Sequence, residues 1–240
     1  QEKELPEWLV YDIDHYSALI EIYYNQNKEL GKKMLLKSIN KLKDQKNNDY
    51  LAVSSRVFTS YGNNFPKEKS TESLIIKSIE IKEILSDKPG LARSYGSLTR
   101  MYFEKEPISI KVLESCNSWL KLNKELNDVF GIIMSKNYLA KIYFSLFKSN
   151  KSDITNLDKS KNLYTENIKY IQNKIDDVSK IQIFTSYADL MEIAKYEKDE
   201  KSYLGYSKEL FNLIKKFGKI ENKFFQNIFK KAFISNFKKS

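Results

Sequence analysis

Arginine, histidine, cysteine, proline and glycine are all scarce in this chain of 240 residues, and each scarcity excludes something. A single cysteine, Cys116, forbids an intramolecular disulfide, and with one histidine there is no Cys/His spacing for a zinc site. Four prolines and seven glycines are too few to punctuate sheets and long loops, so long helices with short turns are expected. No apolar run approaches the roughly 18 residues of a membrane-spanning helix. No signal-peptide pattern opens the chain, which begins at Gln1. The expectation is a soluble, cytoplasmic protein, with an exported mature form left open by that first residue. Catalytic signatures are lacking as well: GKK at 31–33 has neither the preceding glycine nor the following hydroxyl of a phosphate loop, and no GxSxG or HExxH occurs. Neither an enzyme nor a cofactor is expected.

Positive charge is plentiful, at a net +10, but it is nearly all lysine. Summed positive charge attracts polyanions, which makes nucleic-acid binding along a lysine-rich surface the alternative function. Bidentate reading of phosphate and guanine favours arginine, however, and arginine occurs only at Arg56, Arg93 and Arg100.

What the chain has in abundance is a repeated phrase. Leu19–Tyr23, Val57–Tyr61, Leu98–Tyr102 and Leu139–Tyr143 are all aliphatic-x3-Tyr, with tyrosines 38, 41 and 41 residues apart. The apolar spacing of 3–4 on either side of each phrase predicts amphipathic helices. Read in order, the pairs are 12–27 with 30–42, 50–61 with 67–85, 90–104 with 108–126, 129–147 with 158–175, and 178–196 with 202–217. Residues 1–11 form an N-terminal lead-in with Pro6 at a helix start. Gly62 is expected at a helix C-terminus ahead of Pro66, and KSNKSDITN at 148–156 as a long polar link. Cys116 falls on an apolar stripe with Val112, Leu113, Trp119 and Leu120, as a core cysteine does. His15 is read as a surface or packing histidine, because its neighbour Asp14 cannot face it on a helix.

Aspartates at 49, 87, 128 and 176 or 177 stand ahead of the first helices, where they can cap exposed amides. Asp87–Gly90 and Asp128–Gly131 share the form Asp-x-x-Gly-aliphatic. With Leu98 and Tyr102, and with Leu139, Ala140 and Tyr143, these stretches make residues 12–217 resemble the tetratricopeptide repeat family, in a variety whose period, near 40, exceeds the usual 34 or so. The small residue expected after the first-helix leucine is present as Ala140 and Ala188 but replaced by Ile20, Phe58 and Thr99. The resemblance implies an all-α, right-handed superhelical solenoid of about five helix-turn-helix pairs over residues 12–218, whose first helices line a concave groove. It implies a non-catalytic scaffold or sensor module, of the kind bacterial regulators carry, binding a protein or peptide partner.

The arginines supply the candidate site. Arg93, Ser97, Arg100 and Glu104 follow 3–4 spacing and share a helix face, opposite Leu91, Tyr95, Leu98 and Tyr102; Arg56 is the repeat equivalent of Ser97. A guanidinium grips a carboxylate with two bonds where lysine offers a point charge, so an acidic ligand is expected, with structural ion pairing as the competing explanation. Asn137, Tyr138, Lys141 and Phe144 occupy the corresponding face one unit later, to hold a peptide or to serve as ordinary packing. Residues 198–240 carry 11 lysines against 4 acids, and Phe225, Phe229, Phe233 and Phe237 recur at fours. Residues 219–240 are accordingly expected to form a basic, aromatic capping helix over the open end of the stack.

Overall fold

The computed structural model describes residues 5–171 and 177–217. They form ten α-helices and, among the described residues, no strand. The helices are α1 (Glu7–Tyr23), α2 (Lys28–Leu42), α3 (Asn48–Asn64), α4 (Thr71–Ile84), α5 (Lys88–Lys105), α6 (Ile110–Glu125), α7 (Val129–Ser149), α8 (Ile154–Ile171), α9 (Asp177–Glu197) and α10 (Glu200–Phe217). These are the helices that the 3–4 spacing predicts. The expected terminal cap at 219–240 and the expected end of α8 at Ile175 lie outside the described residues. None of the described helices is long and apolar enough to cross a membrane.

The chain divides into two compact units, Gln1–Ser135 and Lys136–Ser240, with the boundary inside α7. In the first, each helix packs on the next from α1 to α6, and α3 additionally touches both α1 and α5. Its core joins Ala18 and Ile22 of α1 to Leu35, Ile39 and Leu42 of α2, and to Val53, Val57, Phe58 and Tyr61 of α3. In the second unit α8 packs on α9 and α9 on α10, around buried Leu139, Ile142, Tyr164, Ile168, Ile183, Phe184, Leu190 and Ile193.

Four of the turns are built alike. Gln26, Ser86, Asn127 and Lys198 each adopt positive φ, between 52° and 59°, and each is followed at once by a residue whose side chain caps the next helix. Asn27 accepts from Leu30 N at 3.1 Å, Asp87 from Gly90 N at 2.9 Å, Asp128 from Gly131 N at 3.0 Å and Asp199 from Ser202 N at 3.0 Å. In three of them the capping residue's own N–H closes back five residues, to Lys82, Asn123 and Ala194, at 2.9 Å. One left-handed residue thus ends a helix and the next residue starts another, satisfying orphan groups on both sides of the bend.

Several expectations are corrected. Asp49 is not the cap of α3: Asn47 accepts from Asp49 N at 2.9 Å, and Asp49 lies inside the first turn. Gly62 does not end α3, which runs on to Asn64; a Cβ there would lie 2.5 Å from Ile75 Cγ1, so the glycine admits α4. The polar link at 148–156 is mostly helical, leaving 150–153 between α7 and α8. The phrase Leu19–Tyr23 keeps its spacing but not its role, since Tyr23 is 66% exposed. The inward face of α1 is Trp8, Tyr11, His15, Ala18 and Ile22, and α1 begins at Glu7, inside the expected lead-in. Pro6 does stand at its start.

Two glycines make opposite predictions. A Cβ on Gly96 would sit 2.8 Å from Trp119 Cε2, a rigid ring edge, whereas one on Gly205 would meet nothing within 4 Å. Gly205→Ala in α10 is expected to raise stability by about 0.5–1 kcal/mol through helix propensity. Gly96→Ala should lose that gain and more to overpacking, for a net loss of roughly 1–2 kcal/mol. Urea midpoints of the two variants, measured side by side, check both signs.

Candidate functional site

A cleft of about 830 Å³ opens in the first unit, and Arg56, Arg93 and Arg100 all line it. Its walls are His15, Tyr16 and Leu19 of α1, Thr59, Ser60 and Asn63 of α3, and Pro89, Ala92 and Gly96 of α5. Lys82 of α4 and Trp119 and Asn123 of α6 also reach it, as do Leu126, Asp128, Phe130 and Gly131. The lining combines cations and amides with an indole, a phenol and aliphatic surface.

The three arginines are not equivalent. Arg56 is tied to α1, with Nη2 at 2.9 Å and Nε at 3.2 Å from Asp12 Oδ1. Here the competing explanation, structural pairing, describes what the side chain does. Arg100 donates from Nη2 to Asn63 Oδ1 at 2.7 Å, a neutral partner that leaves its charge uncompensated. Arg93 is exposed, and its guanidinium makes no ion pair or hydrogen bond among the described residues. Ser97 shares their helix but is 3% exposed and does not line the cleft; its hydroxyl reaches Asn63 Oδ1 at 2.6 Å. Its place is structural, beneath Asn63.

Asn63 was hidden in the sequence by Gly62, read as a helix end. Once α3 continues through Asn64, residues 56, 59, 60 and 63 fall at 3–4 spacing along one face.

The second helices contribute what the resemblance does not anticipate. Lys82 is 2% exposed, on a buried stripe of α4 with Thr71, Ile75 and Ser78. Its Nζ lies 2.7 Å from Thr59 Oγ1, 3.0 Å from Ser78 Oγ and 2.7 Å from Ser94 Oγ, and it makes no ion pair among the described residues. Burial pushes the amine down from 10.5 to about 7; Asp87 opposes the shift, and the positive charges of Arg93 and Arg56 add to it.

Asn123 is the equivalent residue one period later, 41 positions on, and is 1% exposed with Nδ2 unpartnered. Both precede an Asp-x-x-Gly by five residues, and both pass beneath its glycine. A Cβ on Gly90 would lie 2.9 Å from Lys82 Cε, and one on Gly131 would collide with the Asn123 amide. The two glycines thus leave room for polar side chains that reach the cleft. This recurrence was the available signal for Lys82 and Asn123: a cation and an amide at one repeat position on stripes otherwise made of hydroxyl and apolar residues.

His15 is buried and packs on Tyr16, with Nε2 2.8 Å from Ser60 Oγ and Nδ1 unpartnered. Burial lowers its pKa, Asp12 opposes and Arg56 adds. It is a packing histidine whose ring edges the cleft.

The remaining candidates belong to the second unit and do not line this cleft. Asn137 is buried: Nδ2 donates to Gln182 Oε1 at 2.8 Å, and Oδ1 accepts from Asn167 at 2.8 Å and Ser186 at 3.1 Å. Lys141 Nζ lies 3.6 Å from Asp189 and 5.9 Å from the centre of the Tyr138 ring. Phe144 is buried edge-on to Tyr196, at 5.9 Å between ring centres. Asn137 and Phe144 tie α7 to α8 and α9, which is the packing role the sequence left open for this group. Cys116 is fully buried, its Sγ 3.4 Å from Ser135 O, as expected of a core cysteine.

No protein-family model matches the chain, and no curated protein does. Among the described residues no group of three or more His, Cys, Asp or Glu side chains is placed to hold a metal ion.

Lys82 makes stability depend on pH in an unusual direction. Its folded pKa lies below its unfolded value, so between about 7 and 10 the unfolded chain binds more protons and folding strengthens as pH rises. Above about pH 10 the tyrosines reverse the slope, since Tyr11, bonded to Glu7, is held protonated up to about 12. Urea unfolding from about pH 7 to 9.5 should show a gain on the order of 3 kcal/mol. Lys82→Met should remove the slope and stabilise the protein most at the lower end.

Proposed function

We propose that the chain is a non-catalytic, tetratricopeptide-like scaffold or sensor module that binds a protein segment or peptide, and that the first unit's cleft takes an acidic, carboxylate-bearing part of it. One observation carries this reading: in a chain whose positive charge is otherwise lysine, all three arginines line one cleft. Arg93 and Arg100 retain uncompensated charge, and Trp119, Leu19 and Phe130 supply apolar surface for neighbouring side chains. The finer architecture, a right-handed superhelix of repeats whose first helices line a groove, is supported by the 41-residue recurrence and by the contacts of α3 with both α1 and α5.

Some of the lysine charge among the described residues is matched locally. Lys32, Lys88, Lys111, Lys136 and Lys161 each meet a carboxylate at 2.5–3.1 Å. What favours the cleft over a lysine surface gripping nucleic acid is that arginine, the residue suited to a two-bond grip on an anion, is confined to it.

Affinity selection from a peptide library of mixed charge tests the reading. Acidic peptides should be enriched, and Arg93→Ala should weaken the selected peptide about ten- to hundred-fold, the range for a charge-assisted hydrogen bond, without loss of helicity. Arg93 is the informative position because its removal leaves no acid of the protein unpaired. Selection without acidic bias, or affinity left at the native value by both Arg93→Ala and Arg100→Ala, would sink the proposal.

A further inference from the structure

The Lys82 amine is an unusual object in this fold. It is enclosed by α3, α4 and α5, yet it lines the cleft, and every partner within hydrogen-bond reach is a neutral oxygen. Two of its partners are also sequence neighbours of the arginines: Ser55, whose carbonyl lies 3.4 Å away, precedes Arg56, and Ser94, whose hydroxyl lies 2.7 Å away, follows Arg93. Two helices therefore deliver positive charge to either side of a third cation. The facing charged groups are Arg56 from α3, Arg93 and Asp87 from the start of α5, and, behind Arg56, Asp12 and His15 from α1. Asp12 is taken up by Arg56, and Asp87 caps Gly90.

We infer that Lys82 is the proton-binding cation of this cleft, so that a carboxylate gripped by Arg93 and Arg100 enters together with a proton on the Lys82 amine. The inference rests on the cleft's reading as a carboxylate site and adds how that site discriminates. An ammonium buried among neutral oxygens, with the charges of Arg93 and Arg56 nearby, is disfavoured in the empty cleft, by burial first, and favoured once an anion supplies the missing negative charge. The hydroxyl cage serves either state. Serine and threonine accept from an ammonium, and after rotation of the O–H one of them donates to the lone pair of the neutral amine. Asn123 Nδ2, buried and unpartnered on the neighbouring wall, is a second inner donor for the same ligand. Linkage is reciprocal: if the anion raises the proton affinity of Lys82, protonation raises the affinity for the anion by the same factor.

The test uses the full chain labelled with ¹³C-lysine, following the Lys82 Cε resonance through a pH titration. It is run alone and with excess N-acetylphenylalanine, which carries a terminal carboxylate, acetyl-Phe-Glu-amide, which carries a side-chain carboxylate, or acetyl-Phe-amide, which carries none. The expected result is a midpoint raised by about one pH unit with a carboxylate probe and unmoved by the neutral one. That corresponds to binding about tenfold tighter on the acid side of the titration than on the alkaline side. Response to only one carboxylate probe identifies whether the ligand offers a chain terminus or a side chain. If a carboxylate probe moves resonances of Arg93 and Arg100 while the Lys82 midpoint stays put, the inference falls and the cleft's reading stands. If no carboxylate probe moves either, both fall. Lys82→Met assigns the resonance and should bind the probe with the pH dependence gone; the titration of the unmodified chain decides the matter if that variant does not fold.

Discussion

A cation without a counter-ion holds the centre of the first unit. The amine of Lys82 draws Thr59 of α3, Ser78 of its own helix and Ser94 of α5 into one knot, and the hydroxyls bond one another at 2.8–3.2 Å. Burying a charge this deeply is costly unless it is paired, and an amine that sheds its proton near neutrality escapes much of that cost. The small side chains matter as much as the polar ones. Serine and threonine let three helices come together where larger residues would hold them apart, and the same closeness puts the arginines of α3 and α5 on one cleft. Packing and electrostatics are therefore set by the same few residues.

The cleft's chemistry follows from which of its charges are already matched. Arg56 serves α1 through Asp12, Asp128 serves the start of α7, and Arg100 leans on a neutral amide. Among the described residues, Arg93 and Arg100 stand with their charges unmatched on the open side, and Lys82 stands unmatched on the closed side. Elsewhere among the described residues charge is met by cross-helix pairs, such as Lys88 with Glu125 and Lys161 with Glu197. A cluster that escapes such pairing is conspicuous against that background.

Much of this was legible in the residues. The helix pairs followed from 3–4 spacing because each helix buries a stripe, and Asp87 and Asp128 announced their helices because a capping carboxylate has to lie three residues before the amide it serves. The arginines were legible through scarcity. What stayed hidden shares one cause: a position's meaning depended on a neighbour that the local pattern does not contain. Tyr23 repeats the tyrosine of later units, but the inward stripe of α1 runs through Ala18 and Ile22 instead. Gly62 looks like a helix end until Ile75 is packed against it. Lys141 holds the register of Arg100 one repeat later yet faces Asp189, and Asn137 and Phe144, read on the same helix face, are claimed by Gln182, Asn167 and Tyr196. Lys82 passes for a surface lysine unless it is compared with Asn123, its counterpart one repeat later.

The close approach of Gly96 to the indole of Trp119 has a practical side. The chain contains two tryptophans, and they report on different places: Trp8 packs against the core at α1, while Trp119 forms a wall of the cleft between Gly96 and the Asn123 amide. An indole is a polarity-sensitive fluorophore, and this one is nearly enclosed and lines the space a ligand would fill. With Trp8 replaced by phenylalanine, the protein would carry a built-in optical gauge of whether its own cleft is wet or occupied.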